Sequence, residues 1–370
     1  MEFFFKGILS LDDWRLWVMY LIGGILIYLA IAKDYEPTLL LPLGFGTILT
    51  NIPFSGAIGQ HGALSILFKM GIANELFPLI LFIAIGAMID FTPLLQNPKM
   101  LLFGGAAQFG IFVTIILAAA VGFSITDASA IGIIGAADGP TSIFVANRFA
   151  KDLLGPISVA AYSYMALVPL IQPPVIRLLT TKKERLIRME YQATDIPKIV
   201  KVLFPILVTF AAGLIAPDSV SLIGFLMFGN LIRECGVLKS ISETAQTTLA
   251  HLVTIVLGIA IASTMTGDKF LQWQTLMILG LGLIAFVFDT AGGVLFAKIL
   301  NLFSKNKINP MIGACGISAF PMSARVIHKM GLKEDPYNFL LMPAVSANVA
   351  GQIGSVIAGG IIIALLTPLV

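Results

Sequence analysis

Long apolar runs, each closed by charges or by a Pro/Gly cluster, alternate along the chain with short polar connections. Read as helices, they predict spans at Trp14–Ala32, Thr38–Ile52, Phe77–Ile89, Leu101–Phe123 and Pro156–Leu179. Five more are predicted at Ile199–Ala216, Ser219–Ile232, Thr247–Met265, Thr275–Phe296 and Tyr337–Pro368. A helical crossing of a bilayer takes about 20 apolar residues, so the pattern is that of an all-α polytopic membrane protein with about ten transmembrane helices. Two further apolar segments, Ile125–Ala150 and Asn309–Met330, are interrupted by Gly, Pro and Ser, the first also by Asp. They predict re-entrant or broken helices, because irregular backbone at membrane depth survives only where protein or a wet cavity satisfies its N–H and C=O groups.

Charge then orients the spans. The connection from Thr180 to Lys201 carries Lys182, Lys183, Arg185, Arg188, Lys198 and Lys201 against Glu184, Glu190 and Asp195, and the positive-inside rule puts it in the cytoplasm. Threading outward leaves 17 of the 23 Lys and Arg inside; Lys6, Arg15, Lys69, Arg148, Lys151 and Lys269 face out. Both termini are expected outside. At a constant offset of 181, Gly132, Gly135 and Pro140 fall on Gly313, Gly316 and Pro321, and Gln108 falls on Asp289. With five crossings in each half around a cytoplasmic connection, the second copy enters from the side opposite to the first. The expected organisation is an N-terminal interfacial segment (residues 1–13), a first inverted repeat (14–180), a basic linker (181–198) and a second inverted repeat (199–370). Paired broken helices in inverted repeats are a transporter arrangement, with the ion site where the breaks meet.

Composition closes off other classes. With 58% of residues among AVILMFWYC and only 12% charged, too few polar groups exist to cover a globule in water. Soluble, disordered and nucleic-acid-binding classes are thereby excluded, and the lipid bilayer is the expected surrounding. Cys235 and Cys315 lie in apolar stretches and read as small buried hydrophobes. The apolar start lacks a basic n-region and a small-residue cleavage site, so no removable signal peptide is expected.

Candidate chemistry sits in the breaks. Asp138, in IGAADGPTSIF, is flanked by apolar helix, and a carboxylate at that depth costs at least about 2.5–3.5 kcal/mol. It is expected to line a polar cavity and meet a cation or proton; the alternative is a turn whose Asp caps the next half-helix. Thr141 and freed carbonyls add oxygen, which suits a hard cation. The second break, NPMIGACGISAFPMSAR, offers Asn309, Ser318 and Arg325, with Gly313 and Gly316 for close backbone approach. Asn348, in SANVAGQIGS, is either an ion ligand or an interhelical bond. Tyr162 and Tyr164 are either aromatics of an interface belt or, lying well inside an apolar run, phenols whose hydroxyl could bond an ion or relay a proton. Asp289 is either a second acidic ligand or a residue near a cytoplasmic helix end. His61, His251 and His328 have no paired spacing, so no metal enzyme is expected.

Four stretches in order, GAADGPTSIF, AAYSYMALVPLIQPPVI, NPMIGACGISAFPMSARV and NVAGQIGS, make the chain from about Lys33 onward resemble the β subunit of the sodium-pumping biotin-dependent decarboxylases, which act on oxaloacetate, methylmalonyl-CoA, glutaconyl-CoA or malonate. The resemblance implies that carboxybiotin, formed elsewhere in the complex, is decarboxylated here while Na+ is exported. It implies Asp138, Tyr164, Asn309, Gly313, Ser318 and Asn348 as Na+ ligands, and Arg325, Tyr164 and Asp138 as catalytic residues. Arg325 would hold carboxybiotin, since a guanidinium fork suits a carboxylate. Implied partners are a carboxyltransferase α subunit, a biotin carrier subunit and a small membrane-anchored subunit, with room for a homo-oligomer of the membrane subunit; the implied location is a bacterial cytoplasmic membrane. The chain departs from the pattern in a short external connection between Ile52 and Phe77, which favours a CoA thioester or another substrate over oxaloacetate. It departs also at Ala136, where Gly is expected, and at Ser346 and Ala347, where Gly and Pro are expected. The alternative functions are a secondary Na+ or H+ antiporter without chemistry, which would explain the repeat and Asp138 equally well, and a membrane scaffold.

Overall fold

A computed structural model describes residues 12–189, 195–215 and 217–369. Most of the 1–13 segment, with Lys6, and Glu190 of the linker therefore lie outside the described residues. Among the described residues all regular structure is helical. In chain order the main helices are α1 (Trp14–Lys33), α2 (Pro37–Asn51), α3 (Ala63–Gly71), α4 (Leu76–Met88), α5 (Pro98–Ala120), α6 (Ile125–Gly132), α7 (Gly139–Phe149), α8 (Leu154–Ala166) and α9 (Val168–Leu179). They continue with α10 (Lys198–Ile215), α11 (Val220–Glu234), α12 (Lys239–Thr264), α13 (Trp273–Phe303), α14 (Met322–Glu334) and α15 (Leu341–Leu366).

Among the described residues, five helices are long and apolar enough to cross a membrane: α1, α5, α12, α13 and α15. Two bent pairs raise the number to seven if each is one span: α3 with α4, bent by 64°, and the helices either side of Leu167, bent by 69°. The rest of the difference from the expected ten lies in α2, α10 and α11, with 15, 18 and 15 residues. The span expected at Pro156–Leu179 is broken at Leu167, where Pro169, in the first turn of the following helix, has no N–H to give to the preceding turn. The helix at Ala63–Gly71 was not expected, since Lys69, Asn74 and Glu75 cut the apolar run.

The helices sort by packing. On the periphery, α2 carries Thr50 and Asn51 against α12: Thr50 Oγ1 donates to Ala262 O at 3.0 Å and Asn51 Nδ2 to Met265 O at 2.8 Å. α4 and α11 pack backbone on backbone, where a Cβ on Gly86 would lie 1.8 Å from Leu226 O. α1 turns Trp17, Leu21, Ile25, Tyr28 and Ile31 outward, the face of a helix bathed in lipid. Inside, α5, α13 and α15 surround the two broken segments, and α15 is buried along most of its length. An apolar helix with no polar face must be enclosed by protein or lipid; α15 is enclosed by protein, so its few polar side chains have only protein atoms to meet.

Candidate ion site

The first break is built by its sequence. After α6, a 3-10 turn at Ile133–Ala136 leads into Ala137, held in the left-handed region at φ 51°, and then into extended Asp138. A left-handed alanine costs about 1–2 kcal/mol, which the surroundings must supply. Asp138 caps α7, with Oδ1 accepting the Thr141 N–H at 3.1 Å. Pro140 lies in the first turn of α7, where its missing N–H loses no bond. A Cβ on Gly139 would come within 2.2 Å of the Tyr162 ring. Of the two tyrosines, it is Tyr162 that packs on the turn bearing Asp138; it is buried and its hydroxyl has no hydrogen-bond partner.

The second break runs as a 3-10 helix, Pro310–Gly316, through extended Ile317 and a cis Phe320–Pro321 peptide into α14. The two breaks touch directly: the Ser318 N–H donates to Ala136 O at 2.9 Å. α15 closes the site. Its Asn348, Gln352 and Ser355, at i, i+4 and i+7, share one helix face. Asn348 Nδ2 donates to Cys315 O (3.2 Å) and Ile317 O (2.7 Å), and its Oδ1 has no partner. Gln352 Nε2 (3.2 Å) and Ser355 Oγ (2.8 Å) converge on Asp138 Oδ2. The Ser318 hydroxyl bonds both Ser355 Oγ and, at 3.1 Å, Gly351 O. Asp138 is 2% exposed, Asn348 and Ser355 not at all.

The result is a buried carboxylate at the meeting of two breaks, satisfied by neutral donors. Among the described residues it makes no ion pair. A carboxylate, hydroxyls and an amide oxygen are oxygen donors suited to a hard cation. An uncompensated buried charge is expensive, so this one calls for a cation or a proton.

Of the expected site residues, Asp138, Ser318 and Asn348 are brought together. Asn309 makes its contacts elsewhere: Oδ1 accepts the Met311 N–H at 3.1 Å, while Nδ2 donates to Arg185 O (2.9 Å) and Ile187 O (2.8 Å). It thus clasps the central linker, alongside Asn338 on Arg185 O and the pairs Arg185–Glu334 (2.8 Å), Arg188–Asp335 (2.6 Å) and Lys298–Glu184 (3.1 Å). The Arg188 hydrogen bond holds the Asp335 carboxyl below the usual carboxylate range. Glu184 is also lowered: partial burial pushes it up, but bonds from Thr181 and Lys298 outweigh that. Gly313 is needed for packing, since a Cβ there would lie 2.0 Å from Gly293 O of α13. The Tyr164 hydroxyl donates to Leu279 O of α13. Arg325 is exposed on α14 and, with Arg177, Lys329, Lys333 and Pro169 and Pro173 of α9, lines a cavity of about 310 Å³.

Gln352 and Ser355 were not singled out from sequence, although their helical spacing from Asn348 was available within NVAGQIGS. Asp289 lies outside the cluster around Asp138. It is fully buried in α13, with Oδ1 accepting the Ile111 N–H at 3.2 Å and Oδ2 without a partner.

A helical protein with membrane-crossing helices, whose two broken segments meet at a buried carboxylate, is the class these features define. The chain matches the family of the Na+-transporting oxaloacetate decarboxylase beta subunit over residues 15–366. It is 50% identical over 353 residues to the glutaconyl-CoA decarboxylase subunit beta of Acidaminococcus fermentans, covering 95% of this chain and 94% of that one. It is 48% identical over 373 residues to the methylmalonyl-CoA decarboxylase subunit beta of Propionigenium modestum, with 94% of each chain covered. To the oxaloacetate decarboxylase beta chain 2 of Salmonella typhi the identity is 46% over 407 residues, again with 94% of each covered. The chain belongs to this family of decarboxylase beta subunits and is a membrane subunit of a sodium pump.

Proposed function

We propose that this subunit decarboxylates carboxybiotin presented by a biotin carrier subunit and couples the reaction to Na+ export, with Asp138 as the charged Na+ ligand. The observation that carries the reading is the convergence on Asp138 of Thr141, Gln352 and Ser355 where Ser318 of the second break bonds Ala136 of the first. Na+ would sit between the Asp138 carboxylate and the oxygens of Ser318, Ser355, Asn348 and nearby carbonyls, with the Ser355 hydroxyl still donating its hydrogen to Asp138 Oδ2. When the ion leaves, a proton on Asp138 offsets the cost of an empty buried carboxylate.

The cavity beside Arg325 supports the chemical half. Its proline, methionine and valine side chains suit an apolar ring system, and its Arg and Lys side chains suit an anion. In the reaction the N–C bond of the carboxylated ureido nitrogen breaks, the electron pair goes to nitrogen, CO2 leaves and nitrogen takes up a proton. Arg325 would hold the carboxylate before it is lost. Tyr164, whose hydroxyl joins α8 to α13 at Leu279, is assigned to coupling as a proton relay. Asn309 and Gly313 serve by holding the second break against the linker and α13.

The proposal extends to topology: ten crossings, the linker in the cytoplasm of a bacterial cell, and an inverted repeat. Supporting the repeat, Gln108 Nε2 donates to Gly316 O at 3.3 Å, while Asp289 Oδ2 lies against Gly135; each residue of one contact sits 181 positions from its counterpart in the other. A carboxyltransferase α subunit and a small membrane-anchored subunit complete the proposed assembly. The carboxyl donor is assigned to the CoA thioesters, because alignment with the glutaconyl-CoA relative takes 353 residues and with the oxaloacetate relative 407, at nearly the same coverage of this chain.

The test is carboxybiotin decarboxylation by the purified complex with and without Na+, for the native chain, Asp138→Asn and Arg325→Lys. Na+ stimulation of the native complex, lost in Asp138→Asn, is expected, with a raised carboxybiotin requirement in Arg325→Lys. Normal Na+ stimulation in Asp138→Asn would place the ion elsewhere.

A further inference from the structure

Asp289 is a fully buried carboxyl group that the proposed pumping chemistry does not use. Its Oδ1 takes the Ile111 N–H where α5 resumes after its interruption at Ala107–Gln108, and the backbone N–H of Gly110 also reaches the carboxyl group; its Oδ2 has no hydrogen-bond partner. It is wedged between two backbones, since a Cβ on Gly110 would lie 2.6 Å from Oδ1 and one on Gly135 would lie 2.4 Å from Oδ2. No base compensates it. α5 between Leu101 and Phe123 has no titratable group, and the packed elements offer Asp127, Asp138, Tyr162, Tyr164, Cys315 and, at a helix end, Arg177. On α13 itself Lys298 is engaged by Glu184 and Leu179 O. Among the described residues Asp289 has no ion pair.

The related contact shows what is missing. Gln108 reaches Gly316 of the second break with a donor, its Nε2. Asp289, 181 positions on, reaches Gly135 of the first break, and Gly135 is 181 positions before Gly316. A carboxylate offers only acceptors, whereas a carboxylic acid offers one O–H in the place of the amide N–H. We infer that Asp289 is held as a neutral carboxylic acid whose Oδ2 proton is donated to the backbone of the first break at Gly135, fixing the turn that carries Asp138. Gly135 stands three residues before Asp138, so the bond acts on the ion site through the backbone, and Asp289 is a positioning residue. Its effect on Na+ rests on the assignment of Asp138 as the ion ligand; its protonation does not.

Two measurements on the complete complex separate those points. In saturating Na+, where Asp138 is ionised, the infrared spectrum should contain the carbonyl stretch of a protonated carboxyl group, absent from Asp289→Asn. A spectrum identical in the two proteins overturns the inference, whatever Asp138 does. In a Na+ titration of decarboxylation, Asp289→Asn, which keeps a donor, should stay within about twofold of the native chain, while Asp289→Leu should need about tenfold more Na+, equivalent to one hydrogen bond of ~1.4 kcal/mol. Loss of Na+ stimulation in Asp289→Asn would mean that a negative charge is required there and would also overturn it. If Asp289→Leu fails to assemble, the spectrum and Asp289→Asn still decide. Failure of the ion-site assignment would be read separately, as normal Na+ stimulation in Asp138→Asn.

Discussion

Ser355→Ala is the most discriminating perturbation of the proposed Na+ site. The Ser355 hydroxyl donates to Asp138 Oδ2 at 2.8 Å and meets the Ser318 hydroxyl of the second break, so one atom joins the carboxylate to both breaks and α15. Removing it leaves no orphan: Asp138 Oδ2 keeps Gln352, Ser318 Oγ keeps Gly351 O, and the Asn348 bonds to the second break are untouched. The fold should therefore survive. A hydrogen bond to a charged group contributes about 1.5–3 kcal/mol and one to a neutral group about 0.5–1.5. In the proposed cycle Asp138 is charged when Na+ is bound and protonated when the site is empty. The loss is larger in the bound state by about 1–1.5 kcal/mol, which corresponds to a roughly 5–12-fold rise in the Na+ needed for half-maximal decarboxylation. The maximal rate should change little, because the hydroxyl does not line the cavity proposed for carboxybiotin. The assay is decarboxylation against Na+ concentration with the purified complex, using Ser263→Ala as a control, since that hydroxyl bonds only Ala260 O of its own helix. A Na+ curve for Ser355→Ala superimposable on the native one would refute the assignment of these oxygens.

Other expected outcomes follow from the same contacts. Asp138→Glu should retain some Na+-dependent turnover where Asp138→Asn retains none, read as 22Na+ uptake into vesicles carrying the complex. Tyr164→Phe, which loses the bond to Leu279 O, should keep Na+ binding but turn over slowly; full turnover would remove Tyr164 from the coupling path. Asn309→Ala frees the linker from its two carbonyl contacts and should speed tryptic cleavage at Arg185 and Arg188, leaving the half-saturating Na+ concentration unchanged. For Asp335 the sign runs with a lowered folded value: its bond to Arg188 stabilises above the unfolded Asp value of about 4 and is lost as pH falls through the lower folded one. Tryptic cleavage at Arg188 should then be slow at pH 5 and above in the native chain and fast in Asp335→Asn.

What the sequence could show divides along a physical line. A break in an apolar helix is a local event, written in Gly, Pro and Asp, so both broken segments and Asp138 are legible from residues a few positions apart. The partners of Asp138 are not local. Gln352 and Ser355 lie 214 and 217 residues away, and nothing within α15 says that this face meets the first break. Tyr162 and Tyr164 make the same point. Two residues apart on a helix they point about 200° away from each other, so one packs on Gly139 and the other on Gly282 of α13, a choice fixed only by the surrounding bundle. Asn309 and Asn348 have the same chemistry in apolar settings, yet one amide is spent on the linker and the other keeps an unpartnered Oδ1 beside the second break. Polarity at depth therefore identifies residues that must be satisfied, and packing decides whether by backbone or by ion. Repetition in sequence carries some of that packing information, because a pair of positions preserved at an offset of 181 can preserve a contact as well: Gln108 with Gly316, Asp289 with Gly135. The proton inferred on Asp289 rests on the substitution of an acid for an amide within that pair.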